Sequence, residues 1–264
     1  MSIPRRFLDN ARDVKSLGPR FLFRRTSSLI GRTTTSLPIS NVGTVTLRHG
    51  SADADAFRQV FRDRQYDLAR FPQSGDIKAA YQRIAGTGKK PLIVDCGANI
   101  GAGSRWFAGQ FPNAQIVAVE PEPANAQMCR MNCSDIRVEV IEAAIGSLAG
   151  SVSLVTEGKE SLAIQTMRSS TGAVPVVTIN DIVAANAENC TPFLVKIDIE
   201  GFESDLFAAD TDWVDAVIVL IIEPHDYILP GTSRNLQRVM AEHDFDLLIS
   251  GENLVYVNRL AKTV

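Results

Sequence analysis

Leu92-Ile93-Val94-Asp95-Cys96-Gly97-Ala98-Asn99-Ile100-Gly101 is a short apolar run, ended by an acid and broken by a glycine-rich turn. A run of this length without polar alternation suits a strand buried on both faces of a parallel sheet. Glycine directly after the strand lets the chain bend tightly and approach a ligand closely. A helix opening near Gly101 leaves free N–H groups beside it. This is the turn of an α/β protein that holds a nucleotide-type ligand. The dinucleotide fingerprint G-x-G-x-x-G fits poorly, because Asn99 stands where the second glycine belongs. The pattern present is Asp-x-Gly-x-Asn-x-Gly, and Asp95 is an unsuitable neighbour for a pyrophosphate.

Moving outward, Trp106, Phe107 and Phe111 mark the apolar side of a helix that Pro112 stops. Ile116-Val117-Ala118-Val119-Glu120 is the next apolar run, and it also ends in an acid, 19 residues beyond Gly101. In a βαβ unit this brings Glu120 to the carboxyl edge of the neighbouring strand, where a carboxylate can accept ribose hydroxyl protons. Ala124, Met128 and Met131 mark a second helix, and Val138–Ile141 a third strand followed by Glu142, Ala143 and Ala144.

Residues 193–201 return to buried-strand character, and the period of two places Lys196, Asp198 and Glu200 on one side if the strand runs that far. Three ionisable groups in such a run are costly unless they pair or meet a ligand. Residues 217–222 form a fifth strand ending in Glu223-Pro224-His225-Asp226. Ser233 is placed to cap a helix carrying Leu236, Val239 and Met240. Residues 245–249 and 254–257 make a closing hairpin. Five βα-type strands and a terminal hairpin predict a Rossmann-like, doubly wound α/β fold with a seven-stranded sheet. Ligands bind such a sheet at the carboxyl ends of its strands, where Asp95, Glu120, Asp198, Glu223 and His225 fall. Segments 151–156 and 174–179 read as additional strands. The polar stretch 157–173 is either a substrate loop or a plain connection.

At 264 residues and 45% hydrophobic, the chain suits one sizeable domain with an appendage. The net charge of −3 hides an asymmetry: residues 1–40 hold eight Arg/Lys against two Asp, so the remainder is distinctly acidic. An acidic body lacks the basic footprint of a nucleic-acid binder. Without a long apolar run or a signal-peptide core, a transmembrane span and secretion are not expected. Cys96, Cys129, Cys133 and Cys190 lack zinc-site spacing, so a reduced, cytoplasmic protein is expected. Residues 1–41 read as a basic, helical N-terminal extension. It is either an amphipathic surface for membrane or partner, or an arm packed on its own or a sister subunit. Residues 42–264 form the main domain, including a lead-in (42–90) with a strand at 42–47 and a helix at 53–66.

Over residues 42–258 the chain resembles the FkbM-type family of methyltransferases dependent on S-adenosylmethionine (SAM). The resemblance rests on the first turn (94–101), Val119-Glu120-Pro121, Lys196-Ile197-Asp198-Ile199-Glu200-Gly201-Phe202-Glu203, Glu223-Pro224-His225 and Ser250-Gly251-Glu252-Asn253-Leu254. The lead-in adds Leu47-Arg48-His49-Gly50 and Phe57 to Phe61 with Tyr66, although His49 stands where many relatives carry proline. The resemblance implies O-methylation of hydroxyls on sugars, glycans or secondary metabolites. It also implies SAM held by Asp95, Gly97, Ala98, Asn99, Gly101, Glu120, Pro121 and Ala143. Asp95 would accept from the cofactor's ammonium group.

Methyl transfer from a sulfonium to an alcohol needs alignment, desolvation and a base near the acceptor. His225, just past the fifth strand and titrating near neutrality, is the leading base. Asp198, Glu200 and Glu223 are further catalytic candidates. A divalent metal between Asp198 and Glu223 suits hard oxygen ligands but lacks an evident third ligand, so none is expected. The alternatives are a SAM-binding module without catalysis and a nicotinamide-dependent oxidoreductase, which Asn99 disfavours.

Overall fold

The computed structural model describes residues 5–23, 33–155, 165–169 and 171–259. The chain opens with α1 (Arg5–Leu17) and a 3-10 turn, Pro19–Phe23, then a hairpin of β1 (Thr34–Ile39) and β2 (Gly43–Arg48). Next come α2 (Asp53–Phe57), widening into a π-helical turn at Arg58–Arg62, and α3 (Ser74–Gly86). The central unit follows as β3 (Lys90–Cys96), α4 (Ala102–Gln110), β4 (Gln115–Val119), α5 (Pro123–Asn132) and β5 (Val138–Ile141). Beyond it lie β6 (Ala144–Ile145), β7 (Gly150–Val155), β8 (Gln165–Arg168), β9 (Val174–Val177) and α6 (Ile179–Asn186). The chain then supplies β10 (Cys190–Ile197), α7 (Glu203–Leu206), α8 (Trp213–Ala216), β11 (Val219–Ile222), α9 (Ser233–Met240), β12 (Phe245–Ser250) and β13 (Asn253–Asn258).

Seven strands form one sheet in the order β12-β13-β11-β10-β3-β4-β5. The five from β11 to β5 are parallel, and the terminal hairpin pairs antiparallel on β11. The expected seven-stranded, doubly wound α/β fold is therefore present. After β5 the chain returns to lay β10 against the other side of β3. The order thus reverses between β3 and β10, and a crevice opens there at the carboxyl ends.

Alternation along each strand splits the interior into two layers. Ile93, Ile116, Leu194, Val219, Ile221 and Val257 face one, whereas Leu92, Val94, Val117, Val195, Leu220 and Ile222 face the other. The first layer also takes in Leu17 and Phe21 of the N-terminal arm and Leu37, Ile39, Val45, Leu47 and Phe57 of the lead-in. Leu17 and Phe21 are fully buried. Asp13, also fully buried, pairs with Arg58 at 2.7 Å and Arg62 at 3.1 Å. The described part of the arm thus packs on its own chain. The basic segment 24–32 lies outside the described residues. Among the described residues no helix is long and apolar enough to cross a membrane.

Several local expectations are corrected. The segments near 151 and 174 form strands, but in a separate four-stranded sheet of order β6-β9-β7-β8. Of the stretch 157–173, residues 165–168 are strand β8, and 156–164 and 170 lie outside the described residues. Residues 33–36, expected within the extension, belong largely to β1, so the boundary expected at 41/42 falls in the turn of a hairpin. The helix expected to reach Tyr66 ends at Arg62, because Arg64 adopts a left-handed conformation with φ 57°. Met131 is half exposed, so the apolar face of α5 is carried by Ala126, Met128 and Cys129 instead. Ser233 is the first residue of α9 and donates its amide to the Asp226 carboxylate, which supplies the cap expected from Ser233.

Candidate functional site

Three strand ends converge at the crevice. After β3 the chain turns through Gly97 (φ 75°), Asn99 (φ 50°) and Gly101 (φ 87°), all left-handed. Asparagine tolerates that conformation better than most residues, which accounts for its place where a dinucleotide turn has glycine. The Gly97 and Ala98 amides donate to the Val119 carbonyl at 2.9 and 3.0 Å, fastening the turn to the end of β4. A Cβ on Gly97 would lie 1.8 Å from the Asp198 carbonyl oxygen, so this turn also abuts the end of β10.

Glu120 follows β4 and is nearly inaccessible. Its carboxylate accepts the Asn99 amide at 2.7 Å and the Glu122 amide at 3.1 Å. Burial nevertheless raises its pKa to about 7, outweighing the charge-stabilising hydrogen bonds. Gly97, Asn99, Glu120 and Pro121 line a pocket of about 590 Å³ of open space including its mouth, together with Asn125, Asp198, Glu200 and Phe202. The sequence reading missed Asn125. Arg48 of the lead-in donates to its side-chain oxygen at 2.7 Å while being held by Asp53, so the lead-in positions a pocket residue.

The other residues expected at the cofactor lie behind this wall. Asp95 is fully buried; it accepts the Ser104 hydroxyl at 2.7 Å and faces the Lys196 ammonium at 3.2 Å. Its carboxylate is thus engaged inside the protein. Ala98 packs with Ala118, Cys129 and Cys133, Gly101 abuts the two cysteine sulfurs, and Ala143 belongs to the second core layer. Lys196 also donates to the Gly97 carbonyl at 2.8 Å, bracing the first turn against β10. Burial opposes its charge, but the neighbouring Asp95 and Asp198 carboxylates more than offset that and keep it protonated.

The catalytic candidates come together beside the pocket. β10 stops at Ile197, short of the expected run to Gly201. The Asp198 amide still donates to the Cys96 carbonyl at 3.1 Å, and left-handed Glu200 (φ 54°) and Gly201 (φ 98°) then turn the chain back. Glu200 is therefore brought near His225 by a turn, not by strand alternation. The His225 ring is 1% exposed; Nδ1 lies 2.7 Å from Glu203, and Nε2 lies 3.4 Å from Glu200, 3.6 Å from Asp198 and 3.9 Å from Glu223. Gln65 donates to the far oxygen of Glu223 at 3.0 Å, and its own carbonyl accepts the Ser250 hydroxyl. Glu203 and Gln65 had no role in the sequence reading. Glu203 sits three residues after Glu200 on a short helix that opens with two acids, a weak signal at best.

Burial works against a charged His225, yet the Glu203 hydrogen bond and the carboxylates of Glu203, Asp198 and Glu200 overcome it and push its pKa up to about 9. This environment favours the protonated ring, which argues against the role of base expected there. Burial and Asp198 together raise Glu223 to about 7 and push Glu200 upward. The groups able to accept a proton at this end of the crevice are carboxylates.

The family model for the methyltransferase FkbM domain matches residues 95–247, from Asp95 through the first half of β12. Methyltransferase sdnD of Sordaria araneosa is 28% identical over 102 residues, covering 37% of this chain and 33% of that protein. The 2-O-methyltransferase NoeI of Sinorhizobium fredii is 36% identical over 63 residues, covering 24% of this chain and 26% of that protein. The matches thus span about a third and a quarter of those relatives' lengths. Among solved structures, magnesium protoporphyrin IX methyltransferase from Synechocystis with bound SAM is 10% identical, covering 77% of this chain and 90% of that chain with a TM-score of 0.38.

Proposed function

The chain belongs to the FkbM methyltransferase family, and from that premise we propose that it methylates a hydroxyl of a sugar, glycan or secondary metabolite with SAM as donor. The observation that carries this reading is Glu120, a buried carboxylate at the end of the strand beside the glycine turn, facing the pocket that Gly97 and Asn99 line. An acid at that place can accept the two ribose hydroxyls of an adenosine-type ligand. Gly97 leaves the pocket wall free of a side chain, and Asn125, held by Arg48, offers an amide at the same wall.

SAM supplies an electrophilic methyl group on a sulfonium. The reaction breaks a C–S bond, forms a C–O bond and releases the hydroxyl proton. Asp198 and Glu223 end adjacent strands β10 and β11, so their carboxylates flank the space beside the pocket and can receive that proton. His225, held by Glu203, faces Asp198 and Glu200 from the buried side. A hydroxyl acceptor agrees with this carboxylate-rich end and with the 2-O-methyltransferase named among the relatives.

Calorimetry with SAM and S-adenosylhomocysteine (SAH) tests the cofactor. Transfer of a labelled methyl group to a panel of polyhydroxylated acceptors tests the reaction. Stronger binding of NADH than of SAH would overturn the reading at its first step.

A further inference from the structure

We infer that Asp198, Glu200 and His225 form a binding site for a divalent cation of the Mg²⁺/Mn²⁺ type, with Glu223 at its rim. The inference deepens the methyltransferase reading and rests on it for its catalytic meaning, though not for its existence. One ligand atom from each of the three residues lies within 4.8 Å of the others.

The separations favour a shared ion over direct pairing. His225 Nε2 stands 3.4 Å from Glu200 and 3.6 Å from Asp198, with Glu223 at 3.9 Å. An ordinary N–H···O hydrogen bond is about 2.7–3.2 Å. Donor atoms each about 2.1 Å from one ion stand about 3.0 Å apart at an octahedral edge and about 3.4 Å at a tetrahedral edge. The two His225 separations are longer than a hydrogen bond, lie near the tetrahedral edge and exceed the octahedral one, so the side chains would close slightly on a bound ion.

The histidine is an observation independent of the acids. Its ring is 1% exposed, and Nδ1 is fixed at 2.7 Å on Glu203, itself buried. Nε2 is therefore aimed into the carboxylates at more than normal hydrogen-bond length, and a cation bound there would displace its proton and take over the positive charge that the ring otherwise supplies. A carboxylate behind an imidazole is the usual device that sets the tautomer and orientation of a metal-binding histidine. Asp198, Glu200, Glu203 and Glu223 crowd into this corner. The one lysine close by, Lys196, sits nearer Asp95 (3.2 Å) than Asp198 (3.6 Å). Such crowding is costly unless a cation relieves it.

Two carboxylates and one imidazole make a mostly hard donor set, which suits Mg²⁺ or Mn²⁺ better than a thiolate-seeking ion. Three protein ligands leave positions open for water or acceptor oxygens. Asp198 and Glu200 also line the pocket, so those positions open toward the place where the acceptor hydroxyl must sit. A cation there would hold the hydroxyl oxygen and lower the pKa of the hydroxyl, easing release of its proton to Glu223. Sequence reasoning had dismissed a metal for want of a third ligand; the turn at Glu200-Gly201 supplies it.

Mn²⁺ added to the full chain tests this without turnover. Electron paramagnetic resonance should show loss of the free six-line signal at micromolar to submillimolar Mn²⁺, with nitrogen modulation from one imidazole. Asp198→Asn should weaken binding at least tenfold, and His225→Ala should also remove the modulation. Circular dichroism and the thermal midpoint serve as the folding check, and His225→Gln is the second variant if the alanine does not fold. A free signal unchanged up to millimolar Mn²⁺, or equal binding by folded variants, overturns the cation site. SAH binding without Mn²⁺ binding refutes this inference alone, whereas Mn²⁺ binding without SAH binding refutes the methyltransferase reading and leaves the site standing.

Discussion

Glu120→Ala should weaken SAH binding and remove the pH dependence of that binding. In the native protein the carboxylate accepts from the amides of Asn99 and Glu122 and from the Asn125 side chain at 3.5 Å, and it lines the pocket. A hydrogen bond to a charged group is worth about 1.5–3 kcal/mol, and each 1.4 kcal/mol is a tenfold change in affinity. The loss should therefore be about tenfold to a hundredfold. Burial lifts the native pKa to about 7, well above the ordinary glutamate range. Ribose hydroxyls donate, so they select the ionised form, and wild-type affinity should rise between pH 5.5 and pH 7 and level off above. Stability runs the other way. Below the unfolded value both states hold the proton. As pH climbs toward 7 the unfolded chain loses it first, and the Glu120 contribution to folding declines. Glu120→Gln should remove that decline. Calorimetry across the range measures the first effect, and denaturant midpoints at pH 5 and pH 8 the second. A wild-type affinity flat with pH, or an alanine variant that binds SAH as the native protein does, would refute the placing of the ribose on Glu120.

Gly97→Ala should lower the thermal midpoint and abolish SAH binding, because its Cβ would fall 1.8 Å from the Asp198 carbonyl at a residue with φ 75°; an unchanged midpoint by scanning calorimetry would contradict this close approach. Asp13→Ala should cost about 1.5–3 kcal/mol in urea unfolding, since it takes a fully buried partner from Arg58 and Arg62. A midpoint equal to wild type would mean that the arm is not docked as described. Glu223→Gln should lower kcat by about 10²-fold or more with SAH affinity nearly unchanged, as expected for a group that receives the acceptor proton. A rise in KM with kcat intact would make it a substrate contact instead.

The central strands of the main sheet were legible because they are buried on both faces. Residues 92–96, 116–119 and 219–222 read as unbroken apolar runs, and their alternate members feed the two core layers. The β6–β9 sheet was less legible: its strands are short, and β7 and β9 mix buried positions with partly or fully exposed ones. The lead-in was visible as elements, while its purpose was not. Arg48 reaches Asn125, and Gln65 reaches Glu223, across long separations in sequence.

Asp95 and His225 show why site residues can be located from sequence while their surroundings cannot. An acid at a strand end beside a glycine turn looks available to a ligand. Yet β10 pairs beside β3 in a register that sets Lys196 directly across from Asp95, and Ser104 of the following helix closes the other oxygen. Neither register nor neighbour can be read from an apolar run, because any strand of similar character could occupy that side. His225 likewise reads as a base because an isolated imidazole titrates near neutrality. Glu203 and the ring of carboxylates are assembled by a left-handed turn whose direction depends on φ at Glu200, a residue type that seldom adopts it. That turn makes one corner of the crevice strongly anionic and holds a nitrogen within it. The same geometry that disfavours His225 as the base aims its Nε2 at the carboxylates, where a bound cation would displace its proton. Both consequences follow from one backbone torsion that composition and spacing do not encode.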